Sequence, residues 1–159
     1  MPADKMRNFG FLIRDVSRLC AKRFEGYARE LDLTLSQCKV LAHLARNEGI
    51  SQARLADLTE TDPMTLVRTL DRMEQDGWIE RRADPGDRRA HCLFLREAAR
   101  PIIEHIWKAA ELARNEALAA LDTREREHLV ELLERVHTTM LAIEANGERP
   151  KPVQRRLAR

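Results

Sequence analysis

Residues 78–95 read Trp78-Ile79-Glu80-Arg81-Arg82-Ala83-Asp84-Pro85-Gly86-Asp87-Arg88-Arg89-Ala90-His91-Cys92-Leu93-Phe94-Leu95. Two short apolar-rich runs, Trp78–Arg82 and Ala90–Leu95, flank Asp84-Pro85-Gly86-Asp87, whose residue types favour a tight turn. The stretch predicts a β-hairpin in a chain whose other segments have helical periodicity. It is also basic. Between 81 and 100, Arg81, Arg82, Arg88, Arg89, Arg96 and Arg100 stand against Asp84, Asp87 and Glu97.

Upstream of the hairpin, Asp62-Pro63 is a helix-start signal, an acid at the N-cap followed by proline in the first turn. The helix it opens should run to about Asp76 and stop at Gly77. Leu66, Leu70 and Met73 fall on one side of it, with Val67 at the margin. Thr61, Thr65, Arg68 and Arg72 fall on the other, at i, i+4, i+7 and i+11. One face is expected to be buried, and the other to be a polar and basic stripe.

Further upstream, Thr34-x-x-Gln37 is a capping box that opens a helix with Leu41, Leu44 and Ala45 inward, ending at Gly49. Ile50-Ser51 is expected to start a short third helix, with Ser51 as N-cap and Ile50 stapled onto Leu55. Residues 6–31 place Phe9, Ile13, Val16, Cys20, Phe24, Tyr27 and Leu31 three or four apart, predicting a first helix. Beyond the hairpin the helical period returns near Glu97 with Ile102, Ile103, Ile106, Ala110 and Ala113. Asp122-x-x-Glu125 opens a sixth helix striped by Leu129, Leu132, Leu133, Val136, Met140 and Ile143. Residues 146–159 read as a basic, disordered tail.

Two short helices, a turn, a longer helix and a basic hairpin make a winged helix-turn-helix. Such a unit suits B-DNA, because a helix fits the major groove and phosphate contacts position it. A guanidinium at the tip of the hairpin can enter the narrow minor groove, where the potential is most negative. The DNA-binding residues expected are Ser51, Gln52, Thr61, Met64, Thr65, Arg68, Arg72, Arg88 and Arg89, to which a family resemblance adds Asp87.

The hairpin Asp84-Pro85-Gly86-Asp87-Arg88-Arg89-Ala90 closely resembles the D-x-R wing motif of the MarR family of bacterial transcriptional regulators, and the resemblance covers roughly residues 6–145. It implies that Arg89 is the wing-tip minor-groove arginine and that Asp87 orients the basic wing. It implies that Leu66–Met73 belongs to the recognition helix, and that the first, fifth and sixth helices interlock with a second subunit. The expected architecture is mainly α, a winged helix-turn-helix with a two-stranded β-wing and N- and C-terminal dimerisation helices. In this reading residues 1–145 are a single MarR-like domain. Residues 6–31 and 97–145 are its dimerisation helices, and 35–96 its DNA-binding lobe. The function implied is a ligand-responsive regulator, usually a repressor in this family. Two departures stand out: Leu95 is followed by Arg96 where the family has a helix-capping threonine, and Ala98-Ala99 replace a glycine. The segment 61–76 also carries four acids against two arginines.

The chain has 159 residues, enough for one domain, and its 43% hydrophobic content with only 4% aromatics suits a helical core. A net charge of +2 by itself does not announce a nucleic-acid binder. No run approaches the length of a membrane span, and the start Met1-Pro2-Ala3-Asp4-Lys5 lacks the features of a signal peptide. Cys20, Cys38 and Cys92 are odd in number and widely spaced, which fits a reduced cytoplasmic chain with Cys20 as a packed helix residue. His43 and His105 read as helix histidines. Neither CxxC nor HxxxH spacing occurs, so neither metal nor cofactor is expected.

Arg14, Arg18, His43 and Trp107 could border a cavity for an aromatic carboxylate effector; the alternative is that they are ordinary surface and packing positions. A protein-docking winged helix is the rival function, but it has no need of Arg88 and Arg89 beside a positioning acid. An enzyme is disfavoured, since nucleophile motif, glycine-rich phosphate loop and paired carboxylates are all missing.

Overall fold

The computed structural model describes residues 5–87 and 90–147. Arg88 and Arg89, expected on the wing, and the expected tail from 148 onward lie outside them. In chain order the elements are α1 (Phe9–Tyr27), α2 (Leu35–Arg46), β1 (Ile50–Ser51), α3 (Gln52–Thr59), α4 (Pro63–Gln75), β2 (Ile79–Ala83), β3 (His91–Leu95), α5 (Arg100–Ala117) and α6 (Thr123–Ala145). Two compact units divide the chain after Ala117. No helix among the described residues is long and apolar enough to cross a membrane.

The helix starts follow the local chemistry. Thr34 Oγ1 accepts the Gln37 N–H at 3.2 Å, and Gln37 Oε1 accepts the Thr34 N–H at 2.9 Å, completing the capping box of α2. Asp122 and Glu125 do the same for α6. Asp62 Oδ1 accepts from the N–H groups of Met64 and Thr65 at the head of α4. Caps of this kind each contribute about 1 kcal/mol, enough to set where a helix begins.

The two-stranded wing is present as β2 paired with β3, and a third strand joins its sheet. Ile50 and Ser51 form a strand that pairs antiparallel with β3, Ile50 opposite Leu93 and Ser51 opposite Cys92. The order is β1-β3-β2. Ser51 nevertheless caps α3, accepting the Arg54 N–H at 3.2 Å. Helix α2 stops at Arg46 with Asn47 as C-cap, short of Gly49. Gly49 instead turns the chain into β1 with φ +80°, and its N–H donates to Leu93 O at 2.9 Å. A side chain there would be strained and would also abut the Phe94 ring. The wing strands begin one residue later than expected. Trp78 accepts the Arg96 N–H from just outside β2, and Ala90 accepts the Asp84 N–H to close the turn.

The core gathers Leu41 and Leu44 of α2, Leu55 of α3, Leu66, Leu70 and Met73 of α4, Ile79 and Leu93 of the sheet, and Ile103 and Ile106 of α5. Val40 and Cys38 complete the buried face of α2, whereas Ala45, expected inward, is exposed. Ile103 and Ile106 are covered by the lobe's own core and need no partner surface.

Helix α1 buries no residue fully, although Phe24 and the following Leu31 and Leu33 pack against the core. Near its end it is tied to α5. Glu116 accepts from the Arg23 guanidinium, with Nη2 at 2.7 Å, and from the Tyr27 hydroxyl. These bonds hold the Glu116 carboxyl down from its ordinary 4.5 to about 2. A depressed carboxyl stabilises the fold above its unfolded value, and the contribution disappears as pH falls toward the folded one. The melting-temperature gap between wild type and Glu116→Gln should therefore be full above pH 4.5 and close progressively toward pH 2. A gap that is constant over that window would disprove the link.

Helix α6, in the second unit, also buries no residue; Val130, Leu132, Leu133, Val136, Met140, Leu141 and Ile143 are all exposed on it.

Candidate nucleic-acid interface

The two faces of α4 separate as its sequence periodicity requires. Leu66, Leu70 and Met73 are fully buried, and Thr65, Arg68 and Arg72 are exposed. Met64 is 64% exposed at the first turn, on the end of the helix that follows the inter-helix turn. That turn passes through Glu60, which takes a left-handed conformation at φ 51° so that the Thr61 N–H can reach Ala56 O at 3.0 Å. Thr61 is half-buried, and its hydroxyl donates to Thr59 O at 3.2 Å. Ser51 and Gln52 are half-buried at the head of α3, where the Ser51 oxygen serves as the cap. The structure thus gathers Met64, Thr65, Arg68 and Arg72 on one open surface, with Thr61, Ser51 and Gln52 less accessible.

The wing turn is built by Asp84. Its Oδ1 accepts the N–H groups of Gly86 at 2.7 Å and Asp87 at 3.3 Å, and its Oδ2 accepts the Cys92 thiol at 3.4 Å. These bonds, first the Gly86 N–H and then the Cys92 thiol, hold the Asp84 carboxyl below its ordinary value. Asp84 was not among the expected site residues, although Asp-Pro-Gly is the signature of a side chain closing its own turn. Cys92 is half-buried against that carboxylate, and partial burial together with it pushes the thiol pKa up, away from the reactive thiolate. Asp87 is exposed beside Arg88 and Arg89 in sequence.

Among the described residues, most charge on and just after the wing is matched. Arg82 lies over the Phe94 ring at 4.1 Å and bonds Glu80 through Nε at 2.6 Å. Arg96 is 3.5 Å from Glu80, and Arg100 is 2.8 Å from Glu97. Arg96 stands at the N-cap of the 3-10 turn leading into α5 and makes no side-chain cap bond, so the capping role of the family threonine is not replaced. Arg81 is turned away from solvent toward α4, where it meets Asp71 and Glu74.

The four effector candidates do not all come together. Arg14 and Arg18 are exposed on α1, and Arg18 pairs with Asp15 at 3.2 Å on its own helix. Trp107 of α5 instead meets α2, with the Arg46 guanidinium 5.7 Å from its ring centroid. His43 lies one turn before Arg46; burial first, then the charges of Arg46 and Lys39, lower its pKa. Arg46, not among the residues singled out from the sequence, is thus the side chain that meets Trp107, and it lies three residues from His43 on the same helix. Among the described residues no group of three His, Cys, Asp or Glu side chains is placed to hold a metal ion.

A helix-turn-helix whose second helix buries one face and opens the other, followed by a β-hairpin wing, defines a winged-helix protein. Residues 33–91 match the MarR family. The chain belongs to the MarR family, and the relatives it matches are transcriptional regulators. Over 133 residues it is 27% identical to an uncharacterized HTH-type transcriptional regulator, YybA, of Bacillus subtilis (strain 168), covering 84% of this chain and 86% of that one. A probable transcriptional regulator from Pseudomonas aeruginosa is 32% identical, with 80% of this chain and 95% of that one covered and a TM-score of 0.63. A mutant MarR from E. coli complexed with operator DNA is 27% identical, with 86% and 98% covered and a TM-score of 0.67.

Proposed function

We propose that this protein is a sequence-specific double-stranded DNA-binding regulator, acting in the cytoplasm as a homodimer on an inverted-repeat operator. The observation that carries the reading is the open stripe of Met64, Thr65, Arg68 and Arg72 on a helix anchored from behind by Leu66, Leu70 and Met73. A rigidly backed helix with guanidinium forks and a hydroxyl on its free face matches what the major groove requires. The relative solved with operator DNA supports the same assignment.

In this reading Thr65 and Arg68 read base edges, Met64 packs at the groove-entering end, Arg72 contacts phosphate, and Ser51, Gln52 and Thr61 steady the head of the motif. Arg88 and Arg89 supply the wing's charge and Asp87 orients it, as the family resemblance implies. Repression, released by a small aromatic acid near His43 and Trp107, is the regulatory part of the proposal. Arg46 against Trp107 supports it by setting a guanidinium over an aromatic ring. Such a ligand acts only through its preference for the spacing of recognition helices that cannot bind DNA.

The test begins with a duplex enriched by the wild-type protein from a random-sequence library. Arg89→Ala should bind it at least tenfold less tightly at physiological salt, with helical content unchanged. Its salt dependence should fall by about one phosphate contact per subunit, a log–log slope change of about 1.8 for the dimer. Wild-type affinity and slope retained by Arg89→Ala would remove the wing from the interface.

A further inference from the structure

Arg81 occupies an unusual place for a charged residue. It sits two positions after the buried Ile79 on β2, so strand alternation aims it at the same face of the sheet, toward the core. Its side chain is only 16% exposed. A guanidinium so placed is costly unless partners meet it, and α4 supplies two. Nη1 donates to Glu74 Oε2 and Nη2 to Asp71 Oδ1, both at 2.6 Å. The Arg81 backbone N–H donates to Glu74 Oε1 at 3.0 Å, and Nη2 also reaches Val67 O at 3.4 Å.

Asp71 and Glu74 are three apart on α4, so one fork spans both. They are two of the four acids that make segment 61–76 negative, an odd composition for a helix facing phosphates. We infer that Arg81 is a positioning residue for DNA recognition: through Asp71 and Glu74 it locks the first wing strand to the recognition helix, so that helix and wing meet the duplex as one rigid body. The inference rests on the DNA-binding reading above. It explains the acids as holding the wing rather than as charge left over on the helix.

Simple charge arithmetic and the clamp make opposite forecasts, which is what makes the inference testable. Removing acids near DNA should tighten binding if only net charge matters. If the clamp matters, the duplex selected by wild type should lose affinity while arbitrary duplexes gain or hold theirs. The measurement compares wild type with Asp71→Asn/Glu74→Gln on the selected duplex and on a scrambled one, across a salt series. The expected result is a fall of about tenfold in the ratio of the two affinities, similar to the cost of one mismatched base pair. Arg81→Lys should behave alike, because an ammonium cannot bridge both carboxylates as a planar fork does. Faster hydrogen exchange at the Arg81 amide would report the opened clamp without any DNA present.

Asp71→Asn alone, whose carboxylate is 52% exposed, carries the comparison should the double variant fail to fold. A ratio unchanged from wild type, with both duplexes bound more tightly, overturns the clamp and leaves the DNA-binding reading standing. A folded wild type that enriches no duplex at all overturns both.

Discussion

A chain ending at Asp122 should be monomeric or aggregated in light scattering and should bind no duplex specifically, although the winged helix from 35 to 96 is retained. Helix α6 leaves Leu133, Val136 and Met140 exposed, and α1 does the same with Phe9, Leu12, Ile13 and Val16. Contiguous apolar surface of this kind marks an association face. The proposed occupant is a second copy of the chain, because in a twofold pair each copy offers the other the same apolar stripes that it must itself cover. It would also present two recognition helices to two half-sites about 34 Å apart. Linked binding makes the second half-site contact effectively intramolecular, so a monomer loses affinity by a factor of about 100 or more. A well-folded wild-type monomer that binds one half-site tightly would end the dimer proposal.

The second large effect separates two residues on the same helix. Leu70→Ala should destabilise the protein by about 2–5 kcal/mol, because Leu70 has no exposed surface and its loss leaves a cavity in the core. The expected shift in melting temperature is roughly 10 °C downward. Arg68→Ala, two residues earlier and exposed, should change stability by no more than about 0.5 kcal/mol. It should instead cost about 1–3 kcal/mol in discrimination between operator and altered bases. Calorimetry and binding measured on both variants decide the matter. Equal melting temperatures for the two would contradict the division of α4 into a buried and a reading face.

That division was legible before any coordinates, and so were the caps. Asp62-Pro63, Thr34 with Gln37, and Asp122 with Glu125 act over three or four residues, a range in which backbone geometry alone decides who meets whom. The buried stripe of α4 follows from a period of 3.6, and the hairpin from a turn sequence between two apolar runs. These local rules carried the winged-helix architecture and the open stripe of the candidate site. The wing arginines Arg88 and Arg89 entered by motif, and the described residues do not include them.

What local rules could not reach were the pairings between distant segments. Strand β1 has two residues, too few for any alternation to register, and exists because β3, some forty positions on, offers it a free edge. Ile103 and Ile106 sit on an apolar stripe whose sequence announces burial without saying by what; the lobe's own core covers them. Arg81 counted as one of six wing charges, yet strand alternation and the approach of α4 turn it inward onto Asp71 and Glu74. Sequence by itself determined which residues form helices, where most of them begin, and which face of each is apolar, because those choices are settled within one or two turns. Only the tertiary structure decided which apolar faces the lobe closes and which charges are spent inside the protein, because burial and ion pairing depend on which chain-distant groups arrive within a few ångströms of each other.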